Sequence, residues 1–140
     1  MVCDLEKAKQ IMVDGDYTVV LVSGEDVLSS KERGVAPLLD WVERGLDLKD
    51  FSASDKVVGK AAAFLYALLG VKRLFAKVIS APALEVLRNW KIEVSFGETV
   101  ENIKNRMGTG MCPMESCVLN IDNPYDALQE IKMTRERLMK

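Results

Sequence analysis

The chain has 140 residues, of which 49% are hydrophobic and 29% charged, and its formal net charge at pH 7 is −2. This size fits a single domain over residues 1–140, and the scattered charges exclude the basic surface that duplex nucleic acid requires. The sequence contains no histidine, which excludes serine–histidine triads, cysteine–histidine pairs and histidine-bearing metal sites.

The longest apolar stretch, residues 61–71, is interrupted by Gly70 and is shorter than the roughly 20 residues of a membrane span. Residues 1–14 carry charges among their apolar positions, a pattern unlike that of a secretory signal. We therefore expect a cytoplasmic protein without a membrane segment. The three cysteines are an odd number, and we expect reduced thiols.

The first third of the chain predicts a helix, a hairpin and a second helix. Apolar residues at helical spacing mark both helices, and a continuous β-branched run marks the first strand. The expected elements are a helix over 5–12, strands over 17–23 and 27–30 joined by a turn at 24–26, and a helix over 34–44.

The middle of the chain predicts alternating helices and strands. Its most apolar segment, 55–69, reads as one buried helix that Gly70 ends. A strand over 73–80 follows, then a helix over 81–90 with proline in its first turn, and then a strand over 91–96.

The last part of the chain predicts a weak helix over 98–107, a glycine-rich loop over 108–117, a short strand over 118–121 and a final helix capped by Asn123. Strands that alternate with helices after a hairpin indicate an α/β fold. We expect three layers, α-β-α, around a mixed sheet of four to five strands whose later members are parallel.

This element order resembles the cytidine-deaminase-like fold. In that family the two helices corresponding to 55–69 and 81–90 open with His-Ala-Glu or Cys-Ala-Glu and with Pro-Cys-x-x-Cys, and these motifs hold zinc. Here the corresponding segments are Lys60-Ala61-Ala62 and Pro82-Ala83-Leu84-Glu85-Val86. Every ligand and the catalytic glutamate are missing, which argues against zinc-dependent deamination.

The segments 55–63 and 111–117 together are similar to those of a small uncharacterised prokaryotic family, a domain of unknown function grouped with the deaminase fold. The resemblance covers nearly the whole chain. It implies the fold and a homo-oligomer, and it implies little about activity because one fold hosts many functions.

Two lysines and a glycine stand out in the predicted helix over 55–69. Lys56 and Lys60 lie four residues apart, where like charges repel, and Gly59 is unfavourable inside a helix. One interpretation is an anionic ligand that approaches the backbone near the helix start. The other is that Gly59 permits close packing against a strand and the lysines are solvated.

Asp55 lies at the start of the same predicted helix. Ser52 and Asp55 together fit a capping box, which would make the aspartate structural. However, the start of this helix would also lie at the carboxyl ends of the strands, where open α/β sheets bind ligands. Asp55 could then bind a ribose hydroxyl, act as a base or serve as a nucleophile.

The late loop offers a backbone cradle and a thiol. Gly108, Thr109 and Gly110 could turn amides toward a phosphate or carboxylate. Cys112 precedes Pro113 as an N-cap would, and a helix start lowers the pKa of a thiol. The alternative is a flexible turn with two half-buried cysteines.

A metal site or a redox pair formed by Cys112, Glu115 and Cys117 is weakly supported, and we expect no metal and no cofactor. The leading hypothesis is a pocket for a nucleotide-like or other anionic small molecule, formed by the starts of the helices 55–69 and 81–90 and by the loop 108–117. The alternative is a catalytically silent regulatory or assembly module. The candidate catalytic residues are Asp55, Lys60 and Cys112, and the candidate binding residues are Lys56, Gly59, Pro82, Gly108, Thr109, Gly110, Glu115 and Cys117.

Overall fold

The computed structural model describes residues 3–105 and 107–139. Its elements in chain order are α1 (Asp4–Gly15), β1 (Val19–Ser23), β2 (Asp26–Ser30), α2 (Ala36–Glu43), β3 (Ser52–Val58), α3 (Lys60–Leu69), β4 (Arg73–Ser80), α4 (Ala81–Asn89), β5 (Glu93–Val100), α5 (Pro113–Cys117) and α6 (Pro124–Leu138).

The five strands form one mixed sheet in the order β2-β1-β3-β4-β5. β1 is antiparallel to both β2 and β3, whereas β3, β4 and β5 are parallel to one another. The predicted α/β fold with a hairpin followed by parallel strands is therefore confirmed. No helix within the described residues is long and apolar enough to cross a membrane.

Helices cover both faces of the sheet. The side chains of β1 belong to two hydrophobic cores, one on each face. Val20 and Val22 pack with Ala8 and Met12 of α1 on one face. Val19 and Leu21, which alternate with them, belong to the larger core that α2, α3, α4 and α6 build on the other face. Helix α3 is central to this core and packs against α2, α4 and α6.

The segment predicted as one helix over 55–69 is divided at Gly59 in the structure, and this prediction was wrong. Residues Ser52–Val58 form β3, which pairs with β1 on one side and β4 on the other, and only Lys60–Leu69 is helical. Because residues 52–55 are buried on both faces of the sheet, this part of β3 has no alternating pattern to distinguish it from the start of the apolar helix. Asp55 and Lys56 therefore lie in a strand and not on a helix face with Lys60.

Two further predictions at the end of the chain were wrong. The weak helix over 98–107 does not form, because residues 98–100 continue β5 in parallel pairing with β4. Residues 101–105 and 107–112 belong to a loop, in which an isolated bridge pairs Lys104 with Met111. Arg106 lies outside the described residues. The strand expected over 118–121 is a turn, in which Ile121 N–H donates to the Val118 carbonyl at 3.0 Å.

The remaining helices and strands are confirmed within a few residues of their predicted ends. The loop predicted over 108–117 ends earlier, because Pro113–Cys117 forms the short helix α5 with Cys112 at its N-cap position. Ser80 caps α4 by accepting from Ala83 N–H, and the Asn123 side chain caps α6 by accepting from Tyr125 and Asp126. The Ser80 cap places the end of β4 directly beside the start of α4. This junction becomes part of the candidate site.

Candidate functional site

A cavity of about 740 Å³ lies between the carboxyl half of β3, the start of α3, α5 and the end of α6. Known small-molecule sites have volumes of about 300–1,000 Å³. Residues 18–19, 33–36, 38, 103–105 and 112 also line it. Much of the lining is aliphatic and comes from both halves of the chain: Val19, Val35, Leu38, Val57, Ala61, Ala62, Ile103, Met114 and Leu138.

Basic side chains outnumber acidic ones in the lining of this cavity. Four of its residues are basic, Arg33, Lys56, Lys104 and Arg135, and two are acidic, Asp55 and Glu115. Lys56 donates to Asp16 at 2.7 Å, whereas the other three basic residues take part in none of the ion pairs within the described residues. Arg33 and Lys104 are exposed, and Arg135 is half-buried. Cations beside an apolar wall can attract a negative group.

Asp55 is buried in the cavity wall, with 8% of its surface exposed. Its Oδ2 accepts a hydrogen bond from the Tyr66 hydroxyl at 2.6 Å, and its Oδ1 accepts from Val57 N–H at 3.2 Å. Burial raises the pKa of Asp55 to about 7, although these hydrogen bonds act in the opposite direction. The carboxyl group can therefore gain or lose a proton near neutral pH, as general acids and bases do.

Glu115 is the second buried carboxylate, with 2% of its surface exposed. Its Oε1 accepts from Lys60 N–H at 2.8 Å and from the Ser80 hydroxyl at 3.2 Å, and its Oε2 accepts from Ile103 N–H at 2.8 Å. The negative charge is favourable at the start of α3, where backbone N–H groups lack helical partners. Glu115 thereby joins the start of α3, the end of β4 and the loop after β5.

Gly59 allows the close approach of Glu115. Its backbone is extended, with a φ of −97°, so the conformation itself does not demand glycine. A Cβ at this position would lie 3.1 Å from Glu115 Oε2 and 3.1 Å from Ile103 Cγ1. The close packing considered from the sequence is thus present, but its partners are α5 and the loop at Ile103 and not a strand.

The two lysines point to different places. The ammonium group of Lys56 lies at Asp16, whereas that of Lys60 donates to the Leu119 carbonyl at 2.7 Å and lies 5.7 Å from the centre of the Phe64 ring. Lys60 is buried, and it does not line the cavity. Its ammonium group therefore helps to hold the turn after α5 against α3.

The glycine-rich loop forms hydrogen bonds within itself. Gly108 N–H donates to the Asn105 carbonyl at 3.0 Å, and Thr109 N–H donates to Asn105 Oδ1 at 3.1 Å. Gly108, Thr109 and Gly110 are exposed and do not line the cavity. Within residues 101–105 and 107–117, the residues that line the cavity are 103–105 and 112–115.

The cysteines and Pro82 are distributed over different surroundings. Cys112 is half-buried and lines the cavity, whereas Cys117 lines a smaller one of about 380 Å³ with Thr134 and Arg137. Burial raises the pKa of the Cys117 thiol, and a hydrogen bond with Thr134 opposes this shift. Pro82 lies in the first turn of α4, outside the cavity lining.

Sequence reasoning missed four residues of this site: Arg33, Lys104 and Arg135 in the cavity wall, and Tyr66, which hydrogen-bonds Asp55. The three basic residues are scattered along the chain and give no local signal. Tyr66 does have a local signal in the sequence, because a tyrosine inside a fully apolar helix needs a partner for its hydroxyl group.

Comparisons with known proteins identify relatives of unknown function. A search of curated proteins finds no match. The chain is similar to the crystal structure of a DUF1893 family protein (TM1506) from Thermotoga maritima, with 30% identity and a TM-score of 0.87, over 93% of this chain and 88% of that one. The family described as "TM1506: Domain of unknown function (DUF1893)" matches residues 7–134. The chain therefore belongs to the DUF1893 family, which confirms the expected similarity to an uncharacterised family.

Proposed function

We propose that the cavity binds an anionic small molecule whose body is partly apolar, as a nucleotide is. The observation that carries this proposal is the set of three basic residues, Arg33, Lys104 and Arg135, which line an aliphatic cavity and have no ion-pair partner within the described part of the chain. Arginine binds phosphate and carboxylate through paired N–H donors, and lysine adds a point charge.

A catalytic role in this cavity would fall to Asp55 and Cys112. Both side chains line the cavity, and the carboxyl group of Asp55 can exchange a proton near neutral pH. The ammonium group of Lys60, the third candidate, donates to the Leu119 carbonyl. We therefore assign Lys60 a structural role, which is to hold the turn after α5 against α3. Such an enzyme would work with these two groups and without a metal.

The scaffold we propose is deaminase-like. Its support is the order of a hairpin followed by three helix–strand units, in a sheet whose last three strands are parallel. The starts of α3 and α4, which carry zinc motifs in the resembled family, are joined here by Glu115, whose carboxylate already accepts three hydrogen bonds. This donor set does not fit zinc, which prefers four nitrogen and sulfur ligands.

A binding experiment tests the anion site. Calorimetric titration with adenosine 5′-monophosphate and with pyrophosphate should show binding that weakens about tenfold in Arg135→Ala, because a charge-assisted hydrogen bond is lost. Arg137→Ala is the matched control, since Arg137 lies in the same helix but outside the cavity lining. Equal losses in both variants would contradict a site at Arg135.

The second candidate is a catalytically silent regulatory or assembly module. Two charged residues favour this candidate, Lys60 at the start of α3 and Glu115 in α5. Both form hydrogen bonds inside the protein, which leaves them unavailable to a ligand. Wild-type protein that binds none of the anions tested would support this candidate. The homo-oligomer that the resemblance implies stays a prediction, which analytical ultracentrifugation can test.

A further inference from the structure

Two buried carboxyl groups belong to the cavity wall, and attraction of an anion explains neither. Glu115 is accounted for by its three internal donors, whereas Asp55 lines the same cavity as the basic residues without such a set. None of the ion pairs within the described residues includes it. The lysines nearest in sequence do not neutralise it, because Lys56 donates to Asp16 and Lys60 to Leu119.

The hydrogen bonds of Asp55 hold its carboxyl group without saturating it. Tyr66, which is fully buried, donates to one oxygen, and the backbone of Val57 donates to the other. An ionised carboxylate has about four acceptor sites on its two oxygens, so further acceptor capacity remains. Asp55 is a lining residue of the cavity, and 8% of the residue's surface is exposed. A ligand in the cavity would therefore meet a residue that carries a fixed acceptor.

We propose that Asp55 binds a sugar hydroxyl of the ligand, so that the cavity takes a sugar phosphate or nucleoside phosphate with its phosphate at the basic residues. This inference rests on the proposed anion site and adds the chemistry of the ligand body. A hydroxyl is both donor and acceptor, and it can pair with the carboxyl group in either protonation state. The pKa of about 7 means that both states are present at neutral pH.

Two matched nucleotides test the inference. Adenosine 5′-monophosphate and 2′,3′-dideoxyadenosine 5′-monophosphate have the same base and phosphate and differ only in the sugar hydroxyls. Wild-type protein should bind the first about tenfold more tightly or better, since a hydrogen bond to a charged group is involved. Asp55→Asn, measured by the same titration, should reduce this ratio toward one.

The ratio of the two affinities is measured within one variant, and it does not depend on the folded fraction of that variant. Tyr66→Phe removes the neighbouring hydroxyl and keeps the carboxylate, so it should retain the preference even if it lowers stability. Equal binding of both nucleotides by the wild type, or a preference retained in Asp55→Asn, would overturn the inference and leave the anion site standing. If the wild type binds neither nucleotide nor pyrophosphate, the anion site itself is refuted.

Discussion

At the scale of single residues, the most consequential group is a carboxyl that is buried without a counter-charge. The pKa of Asp55 is raised by burial from 3.8 to about 7, which corresponds to about 4 kcal/mol at 1.36 kcal/mol per unit. Well below pH 3.8 the group is protonated in both the folded and unfolded states, and its burial then has no ionisation cost. Between pH 4 and 7 the unfolded chain releases a proton that the folded protein keeps, so stability falls as pH rises.

Asp55→Asn should therefore change the pH dependence of stability. From pH 5 to pH 8 the free energy of unfolding of the wild type should fall, relative to that of the variant, by about 2–3 kcal/mol. Urea unfolding of both proteins at the two pH values measures this difference, in which the other titrating groups cancel. A difference that does not change with pH would show that the Asp55 carboxyl is already ionised at pH 5 in the folded protein.

At the scale of the elements, Glu115 fixes how α3, β4 and the loop after β5 meet. Because three donors hold its carboxylate, it cannot move aside for a larger neighbour. Gly59→Ala would bring a methyl group to 3.1 Å from it, and this substitution should destabilise the protein by about 1–3 kcal/mol.

Gly110→Ala is the matched control for Gly59→Ala, because nothing lies within 4 Å of a Cβ at that position. Its stability should stay within about 0.5 kcal/mol of the wild type. Thermal or urea unfolding of the two variants provides the comparison. Equal effects would mean that the contact with Glu115 does not limit residue 59.

The elements also show what the sequence could predict. Helical spacing and capping residues were sufficient for α1, α2, α4 and α6, because these signals are local. β3 was not predictable, since a strand buried on both faces lacks alternation and is followed directly by an apolar helix. The same limit affected the site: Asp55 and Cys112 were predicted from the sequence and line the cavity, whereas Arg33 and Arg135 are brought to it only by the fold.

At the scale of the whole molecule, the cavity depends on nearly the entire chain. Its lining begins at Thr18 and ends at Leu138, so a bound ligand would contact elements from both ends of the sequence. A ligand at one hundred times its dissociation constant stabilises the folded state by about 2.7 kcal/mol.

We therefore expect a bound nucleotide to raise the unfolding temperature of the protein in one transition. Calorimetric unfolding with and without adenosine 5′-monophosphate measures the shift, and Arg135→Ala should reduce it. Two separate transitions, of which only one responds to the nucleotide, would contradict a cavity that depends on the whole fold.

The sheet ends at β5, which pairs with β4 on one side only and is exposed over most of its length. Such an edge offers free N–H and C=O groups to any extended chain, and proteins commonly protect it with charge. Glu93 and Glu98 lie along this strand and are exposed. Glu93 is paired with Arg73 at 2.6 Å, whereas Glu98 takes part in none of the ion pairs within the described residues. The charge of Glu98 would oppose pairing of one copy's edge with another's, so Glu98→Val should increase aggregation measured by light scattering.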